Sequence, residues 1–569
     1  MLKGHPKGLL VAFFANMGER FGYYTMLAVF ILFLQAKYGY DAATAGQIYA
    51  IFLAFVYFLP LIGGFVADKF LGYGKTISLG LIVMFAGYLL LAIPTEMNSG
   101  IWLVYGALAV ISIGTGFFKG NVQALVGNMY DDPKYSGNRD IAFNIFYMGI
   151  NIGAMFAPTA AEMVSNYVLK AQGFFYNGGI PSLVHKYIGG DASVGEKLTD
   201  LMNKQVAFGN DVGVTHNYGS DLTTFGTEYV NSLSTSYHYA YGVACISLII
   251  SMVVFWAFKK YYKAADVTEA QKAADVNLKD SIVEMSPKET KDRMVALGLV
   301  FFVVIFFWMA FHQNGAGMTF FARDYVVDSV SKGTNIWFDL FGLLPILLAV
   351  IGLYYAIKKN SDAKTRVMGV GAAIIFAILA YYRIDTYGAS NPFTPQKFQH
   401  FNPFFIVVLT PIIIGLFSWL NKKGIEPSAP KKIGIGMIIT ALGFIILVVG
   451  SLSLIGISPK EIGEVKAPED SLVSPYWLIS TFFVLTIAEL FLSPMGLSFV
   501  SRVSPPKYKG LMQGGWLAAT AVGNYAVGLV VLFWAVVPLW AFWGILVVCC
   551  LLSATFIFSI VKRLEKVAK

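Results

Sequence analysis

Apolar residues run along this chain in long blocks, broken by short polar gaps. Fourteen blocks approach or exceed the roughly 20 residues that a helix needs to cross a bilayer's hydrocarbon. They lie at 9–35, 44–67, 76–95, 101–128, 141–167, 238–258, 294–314, 336–357, 367–382, 402–420, 433–455, 475–500, 511–535 and 539–561. Backbone groups in lipid must be satisfied within the segment, so each block is predicted to be a helix. Two longer segments do not fit the pattern. Residues 168–237 are mixed and polar, with several Gly, Asn and Ser, and are expected to lie outside the membrane as an insertion. Residues 259–293 are charged and helix-favouring, and are expected to link two halves on the cytoplasmic side. Setting aside 336–382 as an inserted helix pair leaves six spans plus six, which suggests two bundles around a central cavity. The domains expected are therefore 1–258, the linker 259–293, and 294–569.

Composition sharpens this picture. Of 569 residues, 57% are hydrophobic and only 13% charged, about half the charge of a typical soluble domain. The class expected is an all-α polytopic membrane protein. The first apolar run is too long for a signal peptide and lacks a small-residue cleavage pattern, so no removable leader is expected. The net charge of +9 is read as basic cytoplasmic loops, with no nucleic acid as partner. With the N-terminus inside, those loops hold Lys69 and Lys75, Lys134 and Arg139, Lys259 and Lys260, Lys358 and Lys359, Lys422 and Lys423, and Arg502 and Lys507. The opposite loops "PTEMNSG" and "VVPLW" hold none. An even number of spans with both termini cytoplasmic satisfies the rule throughout. Cys245, Cys549 and Cys550 all lie in apolar runs, so neither a disulfide framework nor a metal cluster is expected.

Charges at membrane depth are costly and mark a pathway or a partner. The sequence places Glu19 and Arg20 in the first span, Lys119 in the fourth and Glu489 in the block 475–500, with His312 as a further titratable group. The four formal charges sum to zero, as a sealed cavity of low dielectric prefers. Glu19 and Arg20 are expected to pair poorly with each other, because helix neighbours point about 100° apart. Asn16, Glu19, Arg20, Tyr23 and Tyr24 instead form a broad polar face, since positions three and four apart share a side. Tyr147 and Asn151 give the fifth span a similar face. A structural reading stands beside this one. Lys119 could serve only to neutralise Glu19; Tyr23, Trp308 and Trp516 could be packing or interfacial anchors; and the glycines of "GTGFFKG" let helices approach. The set as a whole, two cations in the first half and one carboxylate in the second, favours a binding cavity.

At these residues the chain resembles the proton-dependent oligopeptide transporters of the major facilitator superfamily. The motifs stand in order: "NMGERFGYY", "YFLPLIGGFVADKFLGYGKTI", "GTGFFKGNVQALVG", "FYMGINIGA", "AELFLSPMGLSFVSRVSPP" and "MQGGWLAATAVGN". The resemblance implies the major facilitator fold with two extra helices, and a proton-coupled symporter of di- and tripeptides working by alternating access. It implies that Arg20 and Lys119 hold the peptide's carboxylate and Glu489 its amine. Tyr24, Tyr57, Tyr147, Asn151, Gln313 and Asn402 would line the cavity, and Trp308 and Trp516 would wall side-chain pockets. Glu19 would couple protons beside Arg20 and Lys119; on chemical grounds a Lys119 facing Glu19 in a drying cavity is expected to act as a proton-linked switch. The implied setting is an inner or plasma membrane, with small peptides as substrate, no cofactor but the proton, and a monomeric carrier.

The chain departs from the family in three places. Asn16 replaces a glutamate of the first motif. His312 stands where members often have an acid, and Leu27 where some have its basic partner. An outer Arg–acid gate is therefore expected to be absent, with either an apolar gate or His312 carrying a coupling role. The extra pair at 336–382 follows the seventh core span, where bacterial relatives place it after the sixth. Rival functions are the same fold carrying another small anion or zwitterion, and a peptide sensor without flux. No zinc-type His pair, nucleophile elbow or P-loop lies at membrane depth, so an enzyme is not expected.

Overall fold

The computed structural model describes residues 4–268, 285–358, 361–457, 467–505 and 508–568. Residues 269–284 of the expected linker, and the loop lysines Lys359 and Lys507, fall outside these. Among the described residues, fourteen helices are long and apolar enough to cross a membrane, one for each block of the sequence.

The first half comprises α1 (Gly8–Tyr38), α2 (Ala42–Val66), α3 (Tyr73–Ala92), α4 (Ile101–Asn128), α5 (Arg139–Ala171) and α8 (Leu222–Ala257). The short helices α6 (Ile180–Ile188) and α7 (Gly195–Asp211) form the insertion between α5 and α8. The second half comprises α9 (Pro287–Phe311), continued by the short α10 (Gly317–Asp324), then α14 (Phe401–Lys422), α15 (Ala429–Gly450), α16 (Tyr476–Val503), α17 (Lys509–Val531) and α18 (Leu539–Ala568). Between α10 and α14 stand α11 (Lys332–Phe338) and the hairpin α12 (Leu340–Ile357) and α13 (Ala363–Asp385). Fourteen crossings put both chain ends on one face, termed here the termini face. The insertion lies on the other.

Local chemistry fixes the helix ends. Asp41 caps α2 by accepting from the Thr44 amide, and Asp221 caps α8 by accepting from Thr223 and Thr224. Ser286 and Pro287 open α9, the serine accepting from the Glu289 amide at 3.2 Å. Gly39 ends α1 in the left-handed region at φ 63°, which a residue without Cβ adopts freely.

Small residues bring the helices together. A Cβ on Gly63 of α2 would lie 2.0 Å from the Gly116 carbonyl oxygen of α4, so these backbones touch. Asn121 ties the same crossing by donating to the Gly63 carbonyl at 3.1 Å. The two halves meet along an antiparallel seam of α2 and α17, where Gly46 faces Val531, Gly528 faces Ala50, and Gly514 faces Leu61. The span α1 is the most buried of the fourteen and α13 the least.

One element differs most from its expected extent. The helix α8 begins at Leu222, well before the apolar block that starts at 238, because polar residues such as Asn231, Ser232, Ser234 and Ser236 find partners or burial on its upper turns. The non-helical and short-helical insertion accordingly occupies 172–221.

Candidate functional site

The charged residues of the sequence do converge, although not in the pairs expected. Glu19 and Arg20, expected to point apart, form a two-pronged ion pair: Arg20 Nε donates to Glu19 Oε2 and Nη2 to Oε1, both at 2.5 Å. The backbone directions differ by about 100°, but both side chains are long enough to bend across one face. Both are buried, at 0% and 3% exposure, so each is the other's main compensation for lost water. The guanidinium also lies 4.6 Å from the Tyr23 ring centroid.

Lys119 does not take Glu19 as its partner. Its ammonium sits over the Tyr57 ring, 3.3 Å from the centroid, within electrostatic reach of Glu19 and Arg20. Tyr57 in turn lies 6.0 Å from the His312 ring, and His312 stacks on Trp308 at 5.0 Å and 19°. A file of cation, ring, imidazole and indole thus crosses from the first half to the second.

Glu489, on α16, is only 7% exposed. One carboxylate oxygen accepts from Asn402 Nδ2 at 2.8 Å, and the other from the Tyr147 hydroxyl at 3.5 Å. Asn402 also reaches Thr486 at 3.1 Å. Tyr147 belongs to the first half, so the carboxylate of one half is met by a hydroxyl of the other. Asn151 sits one turn on, its amide donating back to the Tyr147 carbonyl at 3.0 Å. Tyr24 and Tyr57, both half-buried, stand within electrostatic reach of Arg20 and of Glu489 alike.

Gln313, expected to line the cavity, and Trp516, expected to wall a side-chain pocket, make close contacts within the second half. Gln313 has no exposure and closes the break between α9 and α10: its side chain accepts from the Gly317 amide at 3.3 Å and donates to the Val527 carbonyl at 3.4 Å. A broken helix leaves backbone groups open, and a side-chain amide in reach fills them. Trp516 is buried against Gly496, where a Cβ would come within 1.9 Å of its ring.

Two further polar contacts join the halves, at residues other than Leu27 and His312. On the insertion face Glu162 of α5 forms an ion pair with Lys397 at 2.8 Å, and Arg323 of α10 donates to Gln35 of α1 at 2.5 Å. The sequence held a signal for the first: Glu162 lies inside the apolar block 141–167. It was missed because its partner lies outside every predicted span, in the turn Pro395–His400.

Comparison with known proteins bears on the fold. Residues 74–183 and 385–541 match the model of the POT family. An uncharacterized transporter of Bacillus subtilis is 27% identical, with 92% of this chain and 88% of that protein aligned. The dipeptide and tripeptide permease A of Escherichia coli is likewise 27% identical, over 92% of this chain and 84% of the permease. A crystal structure of a peptide transporter POT mutant in complex with alafosfalin superposes with a TM-score of 0.64 at 22% identity, covering 100% of this chain and 96% of that one. These relatives are transporters, not enzymes. Fourteen spans in two bundles with an extra helix pair, a buried set of opposite charges between the bundles, and these matches agree: the chain is a multi-pass membrane protein with the fold of POT transporter structures, and it is similar to the POT family over the residues matched.

Proposed function

We propose that the chain is a proton-coupled symporter of di- and tripeptides that works by alternating access. The observation that carries this reading is the opposition of charge across the two halves. Arg20 and Lys119 stand on one bundle and Glu489 on the other, with Tyr24 and Tyr57 in the field of both poles. A short peptide at neutral pH is a dipole with fixed ends. A cavity of this polarity orients it by those ends, so Arg20 and Lys119 receive the carboxylate and Glu489 the amine. Tyr147 and Asn402 hold Glu489 in place, and with Asn151 they present further polar atoms to the peptide backbone. Trp308 borders a side-chain pocket through its stack with His312.

The Glu19–Arg20 fork supplies the coupling step. While Glu19 is ionised, it occupies the Nε–Nη2 edge of the guanidinium, a two-pronged edge that a peptide carboxylate would use. A proton on Glu19 discharges that pair and frees Arg20 for the substrate. Lys119, held over Tyr57, is a second point charge near the same place, and His312 at the end of the file is a second proton station. The termini face is read as cytoplasmic by its lysines and arginines, which puts the insertion outside an inner or plasma membrane. One chain supplies every residue named, so a monomer suffices, and the proton is the one co-reactant.

The test is uptake by purified protein in liposomes. Labelled dipeptide is expected to accumulate above its outside concentration with an inward proton gradient, and only to equilibrate without one. Unlabelled dipeptides are expected to compete, and simple monocarboxylates lacking an amine to compete poorly. Gradient-independent accumulation, or equal competition by simple anions, would reject the reading.

A further inference from the structure

The sites above leave unexplained a second buried ion pair that joins the two halves. Glu162 lies on α5, in the first half, and is 4% exposed. Its Oε2 meets Lys397 Nζ at 2.8 Å. Its Oε1 accepts from the Thr394 hydroxyl at 2.7 Å and from the Thr394 amide at 3.2 Å. All these donors belong to the second half. Beside this cluster Arg323 grips Asp324 with two bonds, at 2.6 and 2.9 Å, and reaches across to Gln35. Tyr176 of the insertion lies within reach of Arg323, Asp324, Asp328 and Glu162. Above them, a cavity of about 590 Å³ opens beneath the insertion, with Lys170, Lys197 and Glu469 also on its walls.

We propose that the Glu162–Lys397 pair is the gate that holds the insertion face shut. This rests on the alternating-access reading. For a solute to pass from that face to Arg20 and Glu489, α5 and the turn Pro395–His400 must part, which breaks all three Glu162 contacts together. In the closed state Glu162 is out of water and Lys397 is largely so, with its side chain 15% exposed, and each compensates the other. In the open state both return to water. Removing one charge therefore penalises only the closed state, because the partner is left buried without compensation. The pair biases the equilibrium toward closure of this face without locking it, since water replaces each partner once the halves separate.

The experiment measures the opening directly. Spin labels are placed on cysteines at Ser99 and Ser474, exposed positions on the insertion face of the two halves, in a chain whose Cys245, Cys549 and Cys550 are replaced by alanine. The wild-type pair is expected to show a major short and a minor long distance. Glu162→Gln and Lys397→Gln are each expected to raise the long-to-short ratio roughly tenfold, the shift that about 1.4 kcal/mol produces. Reversing both charges, Glu162→Lys with Lys397→Glu, is expected to restore the wild-type ratio. Two distances whose ratio neither single variant changes, or a reversal no better than the single variants, overturn the gate and leave alternating access standing. One unchanging distance in wild type and all variants overturns both.

Discussion

At the scale of single residues, the proposed function turns on the fork between Glu19 and Arg20. Arg20 is planar and stays charged throughout the physiological range, so its availability to a carboxylate depends on whether Glu19 is occupied by a proton. Glu19→Gln removes that competition for good. The variant is expected to keep dipeptide counterflow within about threefold of wild type, while proton-driven accumulation falls to the equilibrium level. Paired liposome assays of exchange and of gradient-driven uptake measure the two halves of this statement. Uphill uptake by the variant would remove Glu19 from the coupling path. Arg20, Lys119 and Glu489 were legible because an ion at membrane depth always needs a reason. Which ion pairs with which was not: neighbour angles on a helix argue against Glu19–Arg20, and only the positions of Tyr57 and Tyr23 show where Lys119 and Arg20 rest. The break after Phe311 that Gln313 fills was not legible either, since it is invisible in an unbroken apolar run.

The element scale is governed by close approach and by docking. At the α2–α4 crossing Gly63 leaves no room for a methyl group, its hypothetical Cβ falling 2.0 Å from a backbone oxygen. Gly63→Ala is expected to force the helices apart and cost about 3 kcal/mol or more, at the upper end of overpacking, seen as a lowered thermal midpoint in detergent. Gly64, whose Cβ would meet nothing within 4 Å, provides the control, and Gly64→Ala is expected to leave the midpoint nearly unchanged. The insertion docks differently, through hydrogen bonds at its edge. His185 of α6 donates from Nε2 to the Ala36 carbonyl at the end of α1, 2.9 Å away. Burial holds this imidazole below its usual value, partly offset by the bond to Ala36. A histidine with a lowered folded value binds fewer protons folded than unfolded, so docking is fully stable above the ordinary value near 6.5. It weakens as pH falls through the lower folded value. Amide exchange in 180–188 is expected to speed up on acidification in that window, and His185→Gln to abolish the pH dependence. The boundaries of this region were the least legible part of the sequence, because α8 continues in polar residues past its apolar block and hydropathy alone ends it at 238.

On the scale of the whole molecule, the fourteen apolar blocks, the six-plus-six arrangement and the extra pair after the seventh core span were all present in the spacing of apolar runs, since lipid imposes that spacing directly. Within that plan the spans differ in what they hold. The span α1 is packed on nearly all sides and carries the fork. The hairpin α12–α13 packs mostly on itself, through Gly352 and Gly369 at backbone contact, and shows large apolar side chains such as Ile357, Val367 and Met368 to the surroundings. In a bilayer that surface meets acyl chains, so the hairpin adds little to the cavity between the bundles. Its two roots lie together: Asp339 accepts from Arg383 at 2.5 Å and from the Tyr387 hydroxyl at 2.8 Å. Ser329–Val330 also pairs with Asn391–Pro392 just beyond. Replacing residues 340–385 with a short Gly-Ser linker therefore asks the chain to bridge a gap that Asp339 and Tyr387 already span. The shortened protein is expected to insert, to retain dipeptide uptake within about threefold of wild type, and to lose only a few degrees of thermal midpoint. Loss of uptake in a variant that still inserts and elutes as a single species would show that the hairpin steers the two bundles, and that the twelve remaining spans do not suffice as the working unit.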